Sequence, residues 1–376
     1  MSWQRIRGHD DNVAAFTRAV QRGRLAHAYL FTGPTGVGKR LFADELAKAL
    51  LCQNSPPLTL PSPPAGGEGR VRGARLEACD RCTSCILFDA GTHPDFFTAV
   101  RPPDKANLPI EVMQELCRGF SLKSARGRGK VAILDDADDL DDPITGNAAA
   151  NCFLKTLEEP PPRSVFILVG SSVDRQLPTI LSRCQIVRFR PLDLTQVDLV
   201  LRQQHVDDES RRAKLVRLSD GCPGQALALN DSELWEFRGR LLEALSAPRF
   251  DSVGVARAWR SFVEEAGKES AVQRTRAALA LKLLVELLDD ALRLSLGKPA
   301  RMADADESRV LEGFAKRAGA ERLMSMLERC LEGDAHIDRR VQLVLAVEAL
   351  ADSLGTAIQG AGNPGHLSHA RVNSAP

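Results

Sequence analysis

Apolar and polar positions follow two rhythms along this chain, and the change between them divides it. Up to about residue 190, short apolar runs rich in β-formers recur at 27–32, 96–100, 131–134, 165–170 and 186–189. Between them, residues 40–51, 110–120 and 147–158 carry apolar side chains at helical spacing. Strands of this length alternating with helices predict a parallel sheet covered by helices. After Pro191 the strand signals stop. Residues 193–205 and 209–219 predict small helices, 221–224 a break, and 225–229 a short resumption. From about Ser232 to Leu354 one amphipathic helix follows another, with breaks predicted near Pro248, 297–299 and Gly333. Residues 356–376, rich in Gly, Ser, Ala and Asn, read as a disordered tail. The Pro- and Gly-rich stretch 56–69 (PPLTLPSPPAGGEG) has no periodicity and reads as part of a flexible insertion over 55–75. The expected layout is an α/β domain over 1–190, a helical lid over 191–231, a helical domain over 232–355 and the tail.

Composition narrows the classes. At 376 residues and 44% apolar content the chain can bury several cores. A net charge of +1 means that contact with nucleic acid must come from a local patch. One Tyr and three Trp argue against a base-stacking surface. The start, MSWQRIRGHDDN, has no apolar segment of a secretory signal. The most apolar stretch, 277–296, is broken by Lys282, Glu286, Asp289, Asp290 and Arg293, so it predicts a buried helix and no membrane span. Nine cysteines in such a chain imply a reducing, cytoplasmic setting and thiol or metal chemistry.

The first chemical motif is GPTGVGKR at 33–40, placed between a strand and a helix. In the phosphate-loop pattern G-x-x-x-x-G-K-[ST], glycines let backbone N–H groups cradle phosphate, the lysine neutralises the terminal phosphates, and the final hydroxyl binds Mg²⁺. Gly33, Thr35, Gly36, Gly38 and Lys39 fit this pattern, whereas Arg40 stands where the hydroxyl belongs. The strand at 131–134 runs into Asp135 and Asp136. In nucleotide hydrolases the first such acid helps hold Mg²⁺, and the second, usually Glu, orients the attacking water. An acidic loop after a core strand is the plainer alternative; the paired glycine loop favours a nucleotide site.

Cys79, Cys82 and Cys85 form C-x2-C-x2-C, with Cys52 just before the insertion. Four thiolates can close a tetrahedral structural Zn²⁺ site. An iron–sulfur cluster is the alternative, although a ferredoxin run would continue to a cysteine where this chain has Asp89. Cys117, Cys152, Cys184, Cys222 and Cys330 are scattered and read as core residues. Arg183, in Ser182-Arg183-Cys184, is either a solvated charge or an arginine projected into a neighbouring subunit's active site. The basic run Lys123, Arg126, Arg128 and Lys130 could touch DNA phosphates, but a solvated loop is the favoured reading.

Together these segments resemble bacterial clamp-loader subunits of the AAA+ class, and the delta-prime family of DNA polymerase III in particular. The resemblance rests on HAYLFTGPTGVGK (27–39), the four cysteines, HPDFFTAVRP (93–102), VAILDDADDL (131–140), NAAANCFLKTLEEPPP (147–162) and LPTILSRCQIVRFRPL (177–192). It covers most of residues 1–230, and the helical C-terminus matches an oligomerising collar in length and class alone. The resemblance implies a five-subunit arc that opens the sliding clamp and places it on primed DNA, with gamma/tau and delta subunits as partners. It also implies a rigid stator whose SRC arginine, Arg183, completes the adjacent motor's ATP site. Arg40, Asp136 in place of Glu, and Gln225 where an ATP-sensing arginine is common favour the stator over a gamma/tau-type motor. ATP or ADP would then be bound without efficient hydrolysis. The remaining alternative is a zinc scaffold or DNA-binding module outside replication.

Overall fold

The computed structural model describes residues 2–55, 76–102, 108–140, 148–338 and 341–359. The chain divides into two units, Met1–Asn230 and Asp231–Pro376. In the first, α1 (Asp10–Gln21) leads to β1 (Ala28–Thr32) and α2 (Lys39–Leu51). After α3 (Thr83–Asp89) come β2 (Phe96–Ala99), α4 (Ile110–Ser121), β3 (Lys130–Leu134) and α5 (Ala148–Glu158). Then follow β4 (Ser164–Gly170), α6 (Pro178–Leu181) and β5 (Gln185–Arg188). The small helices α7 (Leu194–Gln203), α8 (Glu209–Leu218) and α9 (Pro223–Ala228) close the unit.

All five strands pair in parallel in the order β2-β3-β4-β1-β5. Every residue of β1, β3 and β4 is buried, because helices cover both faces. Such strands read as unbroken apolar runs, which is why the sequence locates them closely. On one face Phe31 of β1 meets Phe42 of α2 at 5.8 Å between ring centroids, and Phe42 meets Phe189 at 5.2 Å. On the other, Phe166 of β4 packs on Phe120 of α4 (4.1 Å) and Phe153 of α5 (5.2 Å). Aromatic residues are few, but these clusters fasten helices to both sides of the sheet.

The second unit is helical: α10 (Ser232–Ser246), α11 (Ser252–Glu264), α12 (Ser270–Ser295), α13 (Ala305–Ala318), α14 (Ala320–Asp338) and α15 (Leu343–Gln359). Its core includes Phe237, stacked on Phe262 at 4.4 Å, and the fully buried Trp259. No helix among the described residues is long and apolar enough to cross a membrane.

Four expectations need correction. Helix α9 starts at Pro223, inside the predicted break, because proline at the first helical position gives up only an N–H that has no intrahelical partner. Helix α14 runs through Gly333, where a Cβ would come within 3.3 Å of Leu350 Cδ2, so this glycine serves close helix packing. Helix α15 continues to Gln359, past Thr356; the rest of the predicted tail and residues 56–75 of the insertion lie outside the described residues. The basic run is not one solvated loop. Lys130 is buried in β3 and its Nζ donates to Gly119 O at 2.7 Å, while Arg128 donates to Gln53 O at 3.0 Å. Asp95 of the HPDF segment, itself buried, accepts the Ala125 and Arg126 N–H groups at 2.7 and 2.9 Å and pins the turn between them.

One buried acid organises the second unit. Asp290 is 1% exposed and accepts the backbone N–H groups of Arg301, Met302 and Ala303 at 2.5, 3.0 and 2.8 Å. Asp290→Ala leaves three donors without an acceptor and is expected to cost about 2–4 kcal/mol. Urea unfolding followed by the fluorescence of Trp235 and Trp259 measures it; an unchanged midpoint would show that water replaces the carboxylate.

Candidate functional site

The C-terminal ends of the central strands form a crevice, the usual place for ligands in open α/β sheets. Gly33 leaves β1 with φ 149°, and its N–H donates to Ser171 O beyond β4 at 3.1 Å. A Cβ there would lie 2.3 Å from Phe189 O, so only glycine fits. Gly36 and Gly38 follow with φ 82° and 104°. Among the described residues, the N–H groups of Gly36, Gly38, Lys39 and Arg40 have no protein acceptor. They make a concave row of donors at the start of the 13-residue α2, which suits an anion. A cavity of about 430 Å³ opens against this loop, lined also by Asp135, Asp136, Asp138 and Leu227.

The start of α9 touches the loop directly. Gly224 N–H donates to Gly36 O at 2.8 Å, and a Cβ on Gly224 would lie 2.8 Å from Gly36 Cα. Gln225 Nε2 donates to Thr35 O at 3.1 Å. Lys39 Nζ donates to Gly33 O at 2.5 Å and Pro34 O at 2.9 Å. Burial lowers the Lys39 ammonium from its ordinary value, and the field of Asp138 foremost opposes that.

Arg40 crosses the crevice. Its Nη1 reaches Asp135 Oδ2 at 3.0 Å, and its Nε reaches Asp44 Oδ1 at 3.1 Å. The other Asp135 oxygen, Oδ1, accepts the Asp136 N–H at 3.2 Å. The acid expected to help hold Mg²⁺ is thus engaged at both oxygens by the chain itself. Asp136, at φ 51°, lies 3.8 Å from Arg101. Mg²⁺ does not fit this arrangement: its hydroxyl ligand is missing and a guanidinium rests on its carboxylate. The structure therefore gathers the loop residues with Asp135 and Asp136. It also adds Asp138, which the sequence reading missed. Asp138 accepts the Ser171 N–H at 3.0 Å and the Gln176 amide, tying the crossing from β4 to the loop. Its one signal was a third acid in VAILDDAD.

The four cysteines also meet. Cys52 caps α2, Cys82 caps α3, Cys85 lies in the first turn of α3, and Cys79 stands just before them. All four sulfurs lie within 4.8 Å of one another, with Cys52 to Cys82 at 3.9 Å and Cys82 to Cys85 at 3.5 Å. A tetrahedral ion with metal–sulfur bonds near 2.3 Å sets sulfurs about 3.8 Å apart, so the set fits such an ion. Burial raises the thiols of Cys52 and Cys85. Burial also raises Cys79, but the N–H groups of Arg81 and Cys82 outweigh it and bring this thiol down to about 6. Lys48 on α2 is nearly buried and holds both Asp80 and Asp89 at 2.8 Å, fastening the cysteine segment to the helix.

Arg183 stands apart from both clusters. β5 opens with Gln185 level with Tyr29, near the start of β1, so the turn that carries Arg183 lies at the N-terminal end of these strands. The phosphate-type loop leaves the other end of β1, a strand about 16 Å long. Arg183 Nη1 donates to Thr179 O at 2.8 Å, and its Nη2 pairs with Glu158 of α5.

The family model for "DNA polymerase III, delta subunit" matches residues 8–65 and 68–193. The delta′ subunit of DNA polymerase III from Escherichia coli K12 is 30% identical over 311 residues, 82% of this chain and 82% of that protein. The chain belongs to the delta′ family of DNA polymerase III subunits. The Bacillus subtilis delta′ subunit is 25% identical over 93% of this chain and 97% of its own length. The E. coli tau subunit matches at 29% over 64% of this chain but only 34% of its own.

For this delta′ family member the cysteine geometry sets a measurable expectation. Metal analysis of the purified chain should find one ion bound by four thiolates, and Cys85→Ser should lower its retention. Binding requires all four thiols to lose their protons, two of which burial holds back. Affinity should therefore rise with pH and go on rising to 9.0, the ordinary thiol value, and beyond. A pH-independent affinity would exclude thiolate ligation.

Proposed function

We propose that this chain is the non-motor subunit of a DNA polymerase III clamp loader. It joins gamma/tau and delta subunits in loading the sliding clamp onto primed DNA, and it contacts clamp and DNA through the complex. Arg183 serves as an arginine finger for the neighbouring subunit's ATP site. The observation that carries this reading is the separation of Arg183 from the chain's own loop, at opposite ends of β1, while Arg40 engages the magnesium acid beside that loop. An arginine so placed cannot serve the site in its own subunit. Retention of Lys39 would permit a gamma/tau-type motor, but the Arg40–Asp135 pair opposes it. The pocket is then a static one that holds ATP or ADP without efficient hydrolysis. The four cysteines hold a structural Zn²⁺, since all-thiolate sets favour zinc.

Arg183→Ala should leave nucleotide binding by the isolated chain unchanged and lower ATP turnover of the reconstituted loader. At the interface it serves, the loss should be about 10³-fold or more. Single-turnover hydrolysis resolves that site from the others. Unchanged turnover in the reconstituted loader would remove the finger role.

A further inference from the structure

We propose that the Arg40 guanidinium takes the place of Mg²⁺ in this pocket, so that the chain binds a nucleoside di- or triphosphate without a divalent cation. This rests on reading the pocket as a nucleotide site. Three observations carry it further.

First, Arg40 is held where the cation would act. Asp44, one turn along α2, takes its Nε at 3.1 Å, and Asp135 takes Nη1 at 3.0 Å. Held on both sides, the guanidinium has few other places to go. Its Nη2 has no acceptor among the described residues, so a planar donor remains available at the mouth of the loop. Guanidinium groups bind phosphate oxygens through such donors, often two at a time.

Second, Mg²⁺ and Arg40 compete for one carboxylate. Protein-bound Mg²⁺ relies on one or two carboxylates plus substrate phosphates, with water in the remaining positions. Asp135 already gives Oδ2 to Arg40 and Oδ1 to the Asp136 N–H. Recruiting Mg²⁺ would displace a guanidinium and leave it beside a dication. The cation brings no net advantage where its charge is already supplied.

Third, fixed positive groups stand at the loop to meet a phosphate chain that arrives without its metal, beside the acids Asp135, Asp136 and Asp138 that line the same cavity. Lys39 and Arg40 stand at the start of α2, and four N–H donors there are unsatisfied among the described residues. Arg7 lines the same cavity and has no ion-pair partner among the described residues. Metal-free polyphosphate carries two more negative charges than its Mg²⁺ complex, and these groups supply the counterweight that the ion otherwise provides.

The test is equilibrium binding of N-methylanthraniloyl ADP and ATP to the full chain, in EDTA and in excess Mg²⁺. For the native sequence the two dissociation constants should agree within about threefold. Arg40→Thr restores the hydroxyl. It should bind about tenfold more weakly in EDTA and recover that tenfold on adding Mg²⁺. Thermal unfolding checks that the variant is folded; if it is not, the comparison on the native chain decides alone. Binding by the native chain that needs Mg²⁺ would overturn the inference and leave the nucleotide pocket standing. Failure to bind in either buffer would overturn both, without touching the Arg183 reading, which the loader assay tests separately.

Discussion

Burial of α2 against the parallel sheet is the constraint on which the rest of the first unit depends. Ten of its thirteen residues are buried, among them the charged Lys39, Glu45 and Lys48. A helix sunk this deeply must find partners for those charges, and the partners define the sites. Lys39 turns back onto loop carbonyls, Glu45 meets Arg5 at 3.1 Å, and Lys48 reaches out to the cysteine segment. Phe42 supplies the apolar anchor, in contact with Phe16, Phe31 and Phe189. One end of this rod carries the glycine loop and the other carries Cys52, about 20 Å apart. Anything that loosens α2 therefore disturbs two sites with unrelated chemistry.

Electrostatics then separates the two ends of the sheet. At the C-terminal end, acids that could hold a metal are balanced internally, Asp135 by Arg40 and Asp138 by backbone and amide donors. At the other end Arg183 stays partly exposed, held by a carbonyl and by the exposed Glu158. A half-exposed pair of this kind contributes little to stability. Its partner can be exchanged cheaply, whereas the balanced cluster around the loop cannot be rearranged so easily.

The fold was legible to the extent that burial left an imprint on local composition. Strands covered on both faces leave unbroken apolar runs, so β1, β3 and β4 could be located within a residue or two. Three of the four cysteines were legible because C-x2-C-x2-C stands out in one dimension, and Cys52 because the insertion separates it from them. The Arg40–Asp135 pair was not, since its members are 95 residues apart and each has an ordinary local reading. The same holds for Lys130, whose place in a basic run hid a buried strand position. Gly224 against Gly36 was likewise invisible: a glycine that admits a neighbouring backbone looks, in one dimension, like a glycine that ends a helix. Gly333 misled in a similar way, since it makes room for the Leu350 side chain of α15.

The cysteine cluster also changes what the long segment between Cys52 and Cys79 means for the chain as a polymer. A metal bound by these thiols ties a ring closed at its base, and a cross-link around a ring of this size removes about 3.5 kcal/mol worth of freedom from the unfolded chain. Doubling the ring would alter that by only about 0.6 kcal/mol. The knot, not the length of thread it encloses, sets the energy. Insertions can accumulate in this ring with almost no thermodynamic signature, so its length is nearly free to vary while the fold on either side remains the same.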